Sequence, residues 1–208
     1  MYKHFFKRLL DILISGIGLI CLSPVLIVLA VLVKVKLGSP IIFKQERPGL
    51  NEKIFTLKKF RTMTDERDEE GKLLPDAQRL TKFGKFLRST SLDELPELWN
   101  IFCGDMSLIG PRPLLISYLP YYTQREQLRH TVRPGLTGLA QISGRNLLEW
   151  DKRLEKDAEY VENLSFGLDI KIFFLTIKKV FVREDVVVDT NQIEGNLAEI
   201  RKAERESN

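Results

Sequence analysis

The chain has 208 residues and a net charge of +4, enough for one domain with a core of ordinary size and a charge that suits an anionic membrane surface or a phosphate-rich substrate. Two cysteines, Cys21 and Cys103, and two distant histidines, His4 and His130, argue against a disulfide framework or a zinc site and leave a reducing, cytosolic setting as the default. No internal repeat or low-complexity tract is visible.

The first predicted element is an uncharged run from Ile12 to Val33. As a helix rising about 1.5 Å per residue it reaches roughly 33 Å, enough to cross a hydrocarbon core of about 30 Å. Lys3, Lys7 and Arg8 precede the run, and Lys34 and Lys36 follow it, so the positive-inside bias pulls both ends to one face. Three readings compete: a spanning helix, a cleaved signal peptide, and a re-entrant hairpin that dips into one leaflet. The run exceeds the usual signal-peptide core of about 7–15 residues, and no small-x-small cleavage site follows it. Pro24 lacks an N–H and disfavours helix at Ser23, which places a break near mid-run. Each half is then roughly 10 residues, about 15 Å, near one leaflet's depth. Ser23 is placed to bond a backbone carbonyl that Pro24 frees. Arg8 and Asp11, three apart, are placed to pair on one helix face. Proline kinks also occur in spanning helices, so these features tilt toward the hairpin without deciding.

Next come two β-prone runs, Ile41–Phe43 and Ile54–Leu57, separated by Arg47-Pro48-Gly49-Leu50-Asn51, which predicts a β-hairpin. Asp65 to Lys72 is charged and contains Gly71, as a solvated loop does. Leu80 to Leu87 approaches a helical pattern that Gly84 weakens. Leu92, Leu95, Leu98, Trp99 and Phe102 recur at helical spacing and predict an amphipathic helix of about 12 residues, closed by a glycine cap at Gly104. Gly110-Pro111-Arg112-Pro113 is a rigid, extended connector. Leu114 to Leu128 reads as a helix interrupted near Pro120, Arg133-Pro134-Gly135 as a turn, and Leu136 to Ile142 as strand-like or irregular. Trp150 to Val161 is a charged helix. From Phe166 to Phe181, Phe166, Ile170, Phe173, Phe174, Ile177 and Phe181 share one helical face, while Lys171, Lys178 and Lys179 lie elsewhere. Such a helix lies flat in a membrane interface or turns that face to a core; periodicity does not choose. The tail from Glu184 is polar and reads as mobile or loosely helical.

Three clusters carry the candidate chemistry. In Arg88-Ser-Thr-Ser-Leu-Asp93-Glu94, Ser91 and Glu94 have the spacing of a capping box, with Asp93 in the first helical turn. The same geometry is an anion site, and a carboxylate there can attack phosphorus once cations offset the repulsion. In the second cluster, two prolines flank Arg112 and restrict its backbone; this aims a guanidinium at a phosphate or is only a turn with a solvated arginine. The third is dispersed: Lys58, Lys59, Arg61, Arg129, Arg133 and Arg145. Each alone reads as surface charge, but with Arg88 and Arg112 they are enough to build a diphosphate pocket.

At these residues the chain resembles the small monotopic bacterial phosphoglycosyl transferases. The resemblance rests on Ser23-Pro24 at the break of a re-entrant helix, the Lys-Phe-Arg-Thr-Met stretch from Lys59 to Met63, and the segments Arg88–Leu98, Gly104–Pro113 and Arg133–Gln141, followed by Gly144-Arg145. It covers about residues 3 to 183. Within the family it is greatest to the branch that begins N-linked protein glycosylation in Campylobacter-type bacteria. The chain's brevity agrees with that minimal form, since larger relatives carry extra membrane helices and a further domain.

The resemblance implies an α+β fold: a mainly helical globular domain with a small β-hairpin, a re-entrant anchor at 1–38, a cytosolic catalytic domain with interfacial helices at 39–183, and a polar tail at 184–208. It implies transfer of a sugar 1-phosphate, that of N,N'-diacetylbacillosamine, from a UDP-sugar to undecaprenyl phosphate with release of UMP, in two ping-pong steps. Asp93 would be the nucleophile and a ligand of Mg2+, and Glu94 its dyad partner. Arg88, Arg112, Arg145, Lys59 and Arg129 would contact phosphates, and Ser23 and Pro24 would form the hairpin break. The implied setting is the cytoplasmic face of a bacterial inner membrane. Membrane lipids and other enzymes of the glycan pathway are the expected partners, and nucleic acid is not. A hexose- or N-acetylhexosamine-1-phosphate transferase for another glycan, or a non-enzymatic membrane-surface recruitment protein, are the alternatives.

Overall fold

The computed structural model describes residues 2–144, 148–182 and 195–207. The uncharged run forms two helices, α1 (Lys7–Cys21) and α2 (Ser23–Leu37), bent by 64° at Leu22. Among the described residues no single helix is long and apolar enough to cross a membrane; only this bent pair has the length and composition together. The break falls where expected, with Pro24 in the first turn of α2, where its missing N–H costs little. Ser23 Oγ donates to the Ile20 carbonyl at 2.7 Å, the acceptor that Pro24 leaves free. Each half is 15 residues, longer than expected, because the helices run past the apolar stretch into its charged flanks.

The Arg8–Asp11 pairing does not form. Arg8 instead donates to the Ile101 and Phe102 carbonyls at 2.5 and 2.8 Å, and buried Asp11 accepts from Ser107 Oγ at 3.0 Å and the Leu108 N–H at 2.9 Å. Tertiary partners displace the local pair because each satisfies a polar group that has lost water.

The hairpin is β1 (Ile42–Pro48) against β2 (Ile54–Phe60), antiparallel, with Phe43 opposite Lys59 and Arg47 opposite Phe55. Phe55 and Leu57 are buried on one face, in keeping with strand alternation, and Phe60 is buried on the other against Leu87 and α2. Two short helices follow, α3 (Asp76–Arg79) and α4 (Lys82–Ser89). Gly84 allows α4 to lie against β2's exit, since a Cβ there would overlap the Thr62 carbonyl.

The expected 12-residue helix is divided. Leu92–Glu94 forms a 3-10 turn, and α5 occupies Glu97–Cys103, ending on Gly104 at φ 99° as the glycine cap predicts. Pro96 interrupts the bond ladder between the two pieces. Beyond it, β3 (Ser107–Ile109) leads into the Pro-Arg-Pro connector. Leu114 to Leu128 is interrupted near Pro120 as expected, but its first piece is 3-10 rather than α: a 3-10 segment at Ile116–Tyr121, then α6 (Gln124–Gln127), which Thr123 and Glu126 open with a capping box. Pro120 keeps the first piece from lengthening. β4 (Gly135–Thr137) pairs in parallel with β3, so of the strand-like or irregular reading of Leu136 to Ile142 only the start is strand; Leu139–Ile142 is instead a helical turn, α7. Gly110 and Gly135 cross so closely that a Cβ on either would overlap the other's backbone.

The two long helices of the second half are α8 (Trp150–Glu162) and α9 (Phe166–Val182). On α9, Phe166, Ile170, Phe173, Phe174 and Ile177 remain exposed while Ile172 and Asp169 are buried, so the aromatic face turns outward and a different face meets the core. The Phe181 side chain lies outside the described set. The tail is not loose throughout: α10 (Leu197–Ser207) docks on α8 and the 3-10 segment, burying Leu197 among Tyr118, Trp150 and Leu154. Arg201 joins Glu126 at 3.0 Å and also reaches Asp151.

Helices α1 and α2 share the core of the domain. Leu29, Val33 and Leu37 of α2 pack with Phe60 and Leu87, while Leu19 and Leu22 cover Leu98 and Met106.

Candidate active site

One cleft of about 1170 Å3 runs between the β-hairpin, the Leu92–Glu94 turn, the Pro-Arg-Pro connector and α9. Asp93, Glu94, Arg88, Lys59, Arg112 and Arg129 all line it. Thus six of the seven residues expected to carry catalysis or phosphate contacts come together from segments separated by up to about 70 positions; the seventh, Arg145, lies outside the described residues.

The Asp93-Glu94 turn is built differently from a capping box. Ser91 adopts a left-handed conformation (φ 55°, ψ 19°) and makes no cap bond. Glu94 turns instead to two cations, accepting at Oε1 from Lys59 Nζ and from Arg112 Nη2, each at 2.8 Å. Two charge-assisted bonds outweigh one cap bond. The expected helix-terminus anion site is not built either, because Leu92–Glu94 is only a three-residue 3-10 turn, separated from α5 by Leu95-Pro96, and supplies little dipole. Left-handed Ser91 costs about 1–2 kcal/mol of backbone strain and sits two residues before Asp93.

Burial pushes Glu94 up, but Arg112 and then Lys59 outweigh it and hold the carboxyl at about 2. Glu94 is therefore ionised and already neutralised. Asp93 is the opposite case. It is 8% exposed and lines the cleft, and among the described residues none donates a hydrogen bond to its carboxylate. Burial first, and the Glu94 charge second, push it up to about 6 against the pull of Lys59, Arg112 and Arg88. A carboxylate that is partly desolvated, unbonded and faced by three cations is basic and free to form a bond to phosphorus.

The strand ending β2 explains the Lys-Phe-Arg-Thr-Met stretch residue by residue. Lys59 faces the acidic turn and Phe60 faces the core. Arg61 pairs with Asp65 at 2.7 Å, and Thr62 Oγ1 accepts from Arg88 Nε at 3.0 Å, fixing that guanidinium beside the cleft. Arg112 remains open to solvent, 44% exposed. Arg129 is placed behind it: buried, it donates to the Arg112 carbonyl at 2.6 Å and to Tyr122 Oη at 2.8 Å, and it pairs with Asp157 at 3.0 Å. That geometry braces the connector. Arg133 similarly donates to the Gly104 carbonyl at 2.9 Å, away from the cluster.

Sequence reading missed Glu97. It is 2% exposed, with Oε1 3.0 Å from Lys59 Nζ. Its spacing of three from Glu94 was the available signal, masked by the amphipathic pattern around it.

Comparison with known proteins supplies three findings. A family model described as bacterial sugar transferase matches residues 2–183. The chain is 56% identical over 181 residues to the uncharacterized sugar transferase EpsL of Bacillus subtilis, covering 86% of this chain and 89% of that protein. It is 45% and 42% identical to the UDP-glucose:undecaprenyl-phosphate glucose-1-phosphate transferases of Klebsiella pneumoniae and Escherichia coli. It spans only 41% and 40% of the length of those two relatives.

Proposed function

Because the chain belongs to the bacterial sugar transferase family, we propose that it moves a sugar 1-phosphate from a UDP-sugar to undecaprenyl phosphate at a membrane surface. It is an enzyme, a sugar-phosphate transferase by family. The observation that carries the finer reading is the contrast within the dyad: Glu94 is neutralised by Lys59 and Arg112, whereas Asp93 lines the cleft with no hydrogen bond to its carboxylate.

In this reading Asp93 attacks the β-phosphorus of the donor, the bond to the bridging oxygen breaks, and UMP leaves with that electron pair. The sugar phosphate remains on Asp93 as an acyl phosphate. An oxygen of undecaprenyl phosphate then attacks the same phosphorus, forming the lipid diphosphosugar and returning the Asp93 carboxylate. Neither step changes the proton count. Arg88 and Arg112, which line the cleft, would hold phosphate oxygens; Arg145 is kept as a further proposed phosphate contact, and Arg129 would act through Arg112. Glu94 keeps Lys59 and Arg112 in place while the pocket is empty.

The residues present fit magnesium. Mg2+ is usually held by one or two carboxylates together with substrate phosphates. Asp93 is the available carboxylate, since Glu94 is engaged, and among the described residues no group of three ligating side chains converges without substrate. When bound, the ion would neutralise the diphosphate and make UMP a better leaving group.

The membrane setting is supported by the bent α1–α2 pair with cations at both ends and by the exposed aromatic face of α9. We read the pair as a hairpin entering one leaflet from the cytoplasmic side of the inner membrane, with α9 lying in the interface. The donor sugar named for the two glucose-1-phosphate transferases favours a UDP-hexose; UDP-N,N'-diacetylbacillosamine, and with it a role in N-linked glycosylation, is the other donor to test.

Asp93→Asn is expected to abolish UMP release from a panel of UDP-sugars while the protein still sediments with membranes. Unchanged UMP release would overturn the nucleophile assignment, and no UMP release by the unaltered protein from any donor would favour a recruitment protein instead.

A further inference from the structure

We propose that Glu97 is a positioning residue that keeps the Lys59 ammonium at the wall of the cleft, so that the lysine can turn from Glu94 to the diphosphate of a nucleotide donor without being lost to solvent. The inference rests on the transferase reading above and adds a residue to it.

Lys59 stands between two carboxylates. Its Nζ is hydrogen-bonded to Glu94 Oε1 at 2.8 Å and lies 3.0 Å from Glu97 Oε1, where the alignment is outside hydrogen-bond geometry and leaves that oxygen without a bond. The two carboxylates differ in position. Glu94 lines the cleft; Glu97, the first residue of α5, does not, and its side chain is 3% exposed. The charged groups that face Glu97 are Lys59 from β2, Glu94 from the 3-10 turn, Arg112 from the connector and Arg47 from β1.

A lysine ammonium sits on a flexible four-carbon stem, and holding it in one place needs a fixed partner. In the empty site Glu94 is the bonded partner. An incoming diphosphate competes for Lys59 and Arg112, both of which Glu94 now engages. When Glu94 lets go, Glu97 still holds Lys59 from behind, because a buried carboxylate has no water to replace that cation. Burial, and the Glu94 charge, push Glu97 up to about 7, and Lys59 is the foremost of the cations that pull it back toward the ionised form.

The test is a double-mutant cycle on the full chain in detergent: Glu97→Ala, Lys59→Ala, the double variant and Glu97→Gln. Readouts are KM and kcat for UMP release from the best UDP-sugar, calorimetric affinity for UDP, and the thermal midpoint. If Glu97 acts through Lys59, Glu97→Ala raises KM and weakens UDP binding by about tenfold, and the double variant is no worse than Lys59→Ala alone. Glu97→Gln, which keeps an acceptor oxygen in the same place, recovers part of the loss. Losses that multiply in the double variant, or a lowered thermal midpoint with unchanged KM and UDP affinity, overturn the proposal. Should Glu97→Ala fail to fold, the cycle is read on Glu97→Gln, with multiplied losses or unchanged UDP affinity again overturning it. If the unaltered protein releases no UMP, the transferase reading fails, and UDP affinity still decides the role of Glu97.

Discussion

Asp93 holds a negative charge in a place that disfavours it. Burial and Glu94 keep its carboxyl at about 6 rather than the ordinary 3.8, and attack on phosphorus needs the ionised form. If Asp93 is the nucleophile proposed above, protonation removes it, and kcat/KM for UMP release is expected to fall about tenfold per pH unit below roughly pH 6 and to level off above it. The same shift has a thermodynamic side. The folded state binds the proton more tightly than the unfolded chain, so the stability this proton contributes is lost as pH rises through the window from 3.8 to about 6 and is absent above it. Asp93→Asn removes that penalty and is expected to raise stability at pH 7.5 by about 1–3 kcal/mol, a difference that closes toward pH 4. Paired melting curves at the two pH values check the sign; an Asn variant less stable at pH 7.5 would mean that the cations need the charge more than burial resists it.

At the scale of elements, the strongest sequence signals were those with a local cause. The break at Ser23-Pro24, the turn after Arg47, the glycine cap at Gly104 and the span of α8 depend on proline geometry, on glycine's left-handed freedom, or on one uninterrupted helical period, and all are found. The misread side-chain pairings share one physical reason: a distant partner outcompeted a near one. Ser91 and Glu94 have the spacing of a capping box, but Glu94 is claimed by Lys59 and Arg112, which come from other elements. Arg8 and Asp11 separate because α5 and β3 offer each a partner. Arg129 was legible as a cation, but not as one already used within the core. The α1–α2 bend carries its own prediction. With Cys21 and Cys103 replaced, single cysteines at Lys3 and Lys36 are expected to label from the same side of a sealed vesicle. Pro24→Ala restores an N–H at the break and is expected to move part of the population to opposite-side labelling. Labelling of both positions from one side in the variant would mean that packing alone holds the bend.

For the whole molecule, the site depends on chain crossings that no local pattern announces. The parallel β3–β4 pair, closed by Gly110 donating to the Thr137 carbonyl and Gly135 donating to the Pro111 carbonyl, fixes where Arg112 leaves the core. The tail beyond the family match contributes as well. Leu197 is 1% exposed against Tyr118, Trp150 and Leu154, so Leu197→Ala is expected to cost about 2–4 kcal/mol, seen as a lower thermal midpoint, while UDP-sugar KM stays within about twofold because the pocket cations lie elsewhere.

The shared core of α2 with Phe60 and Leu87, and the Asp11 carboxylate on the Leu108 N–H, bear on how this protein can be handled. There is no seam along which to cut it. A version trimmed of its first 38 residues would not be a water-soluble enzyme but one with an opened interior and an orphaned strand amide, prone to clump. A detergent-free form would have to keep both helices and repaint their outward side, where Ile17, Ile20, Ile27 and Val28 are 57–74% exposed, with polar residues.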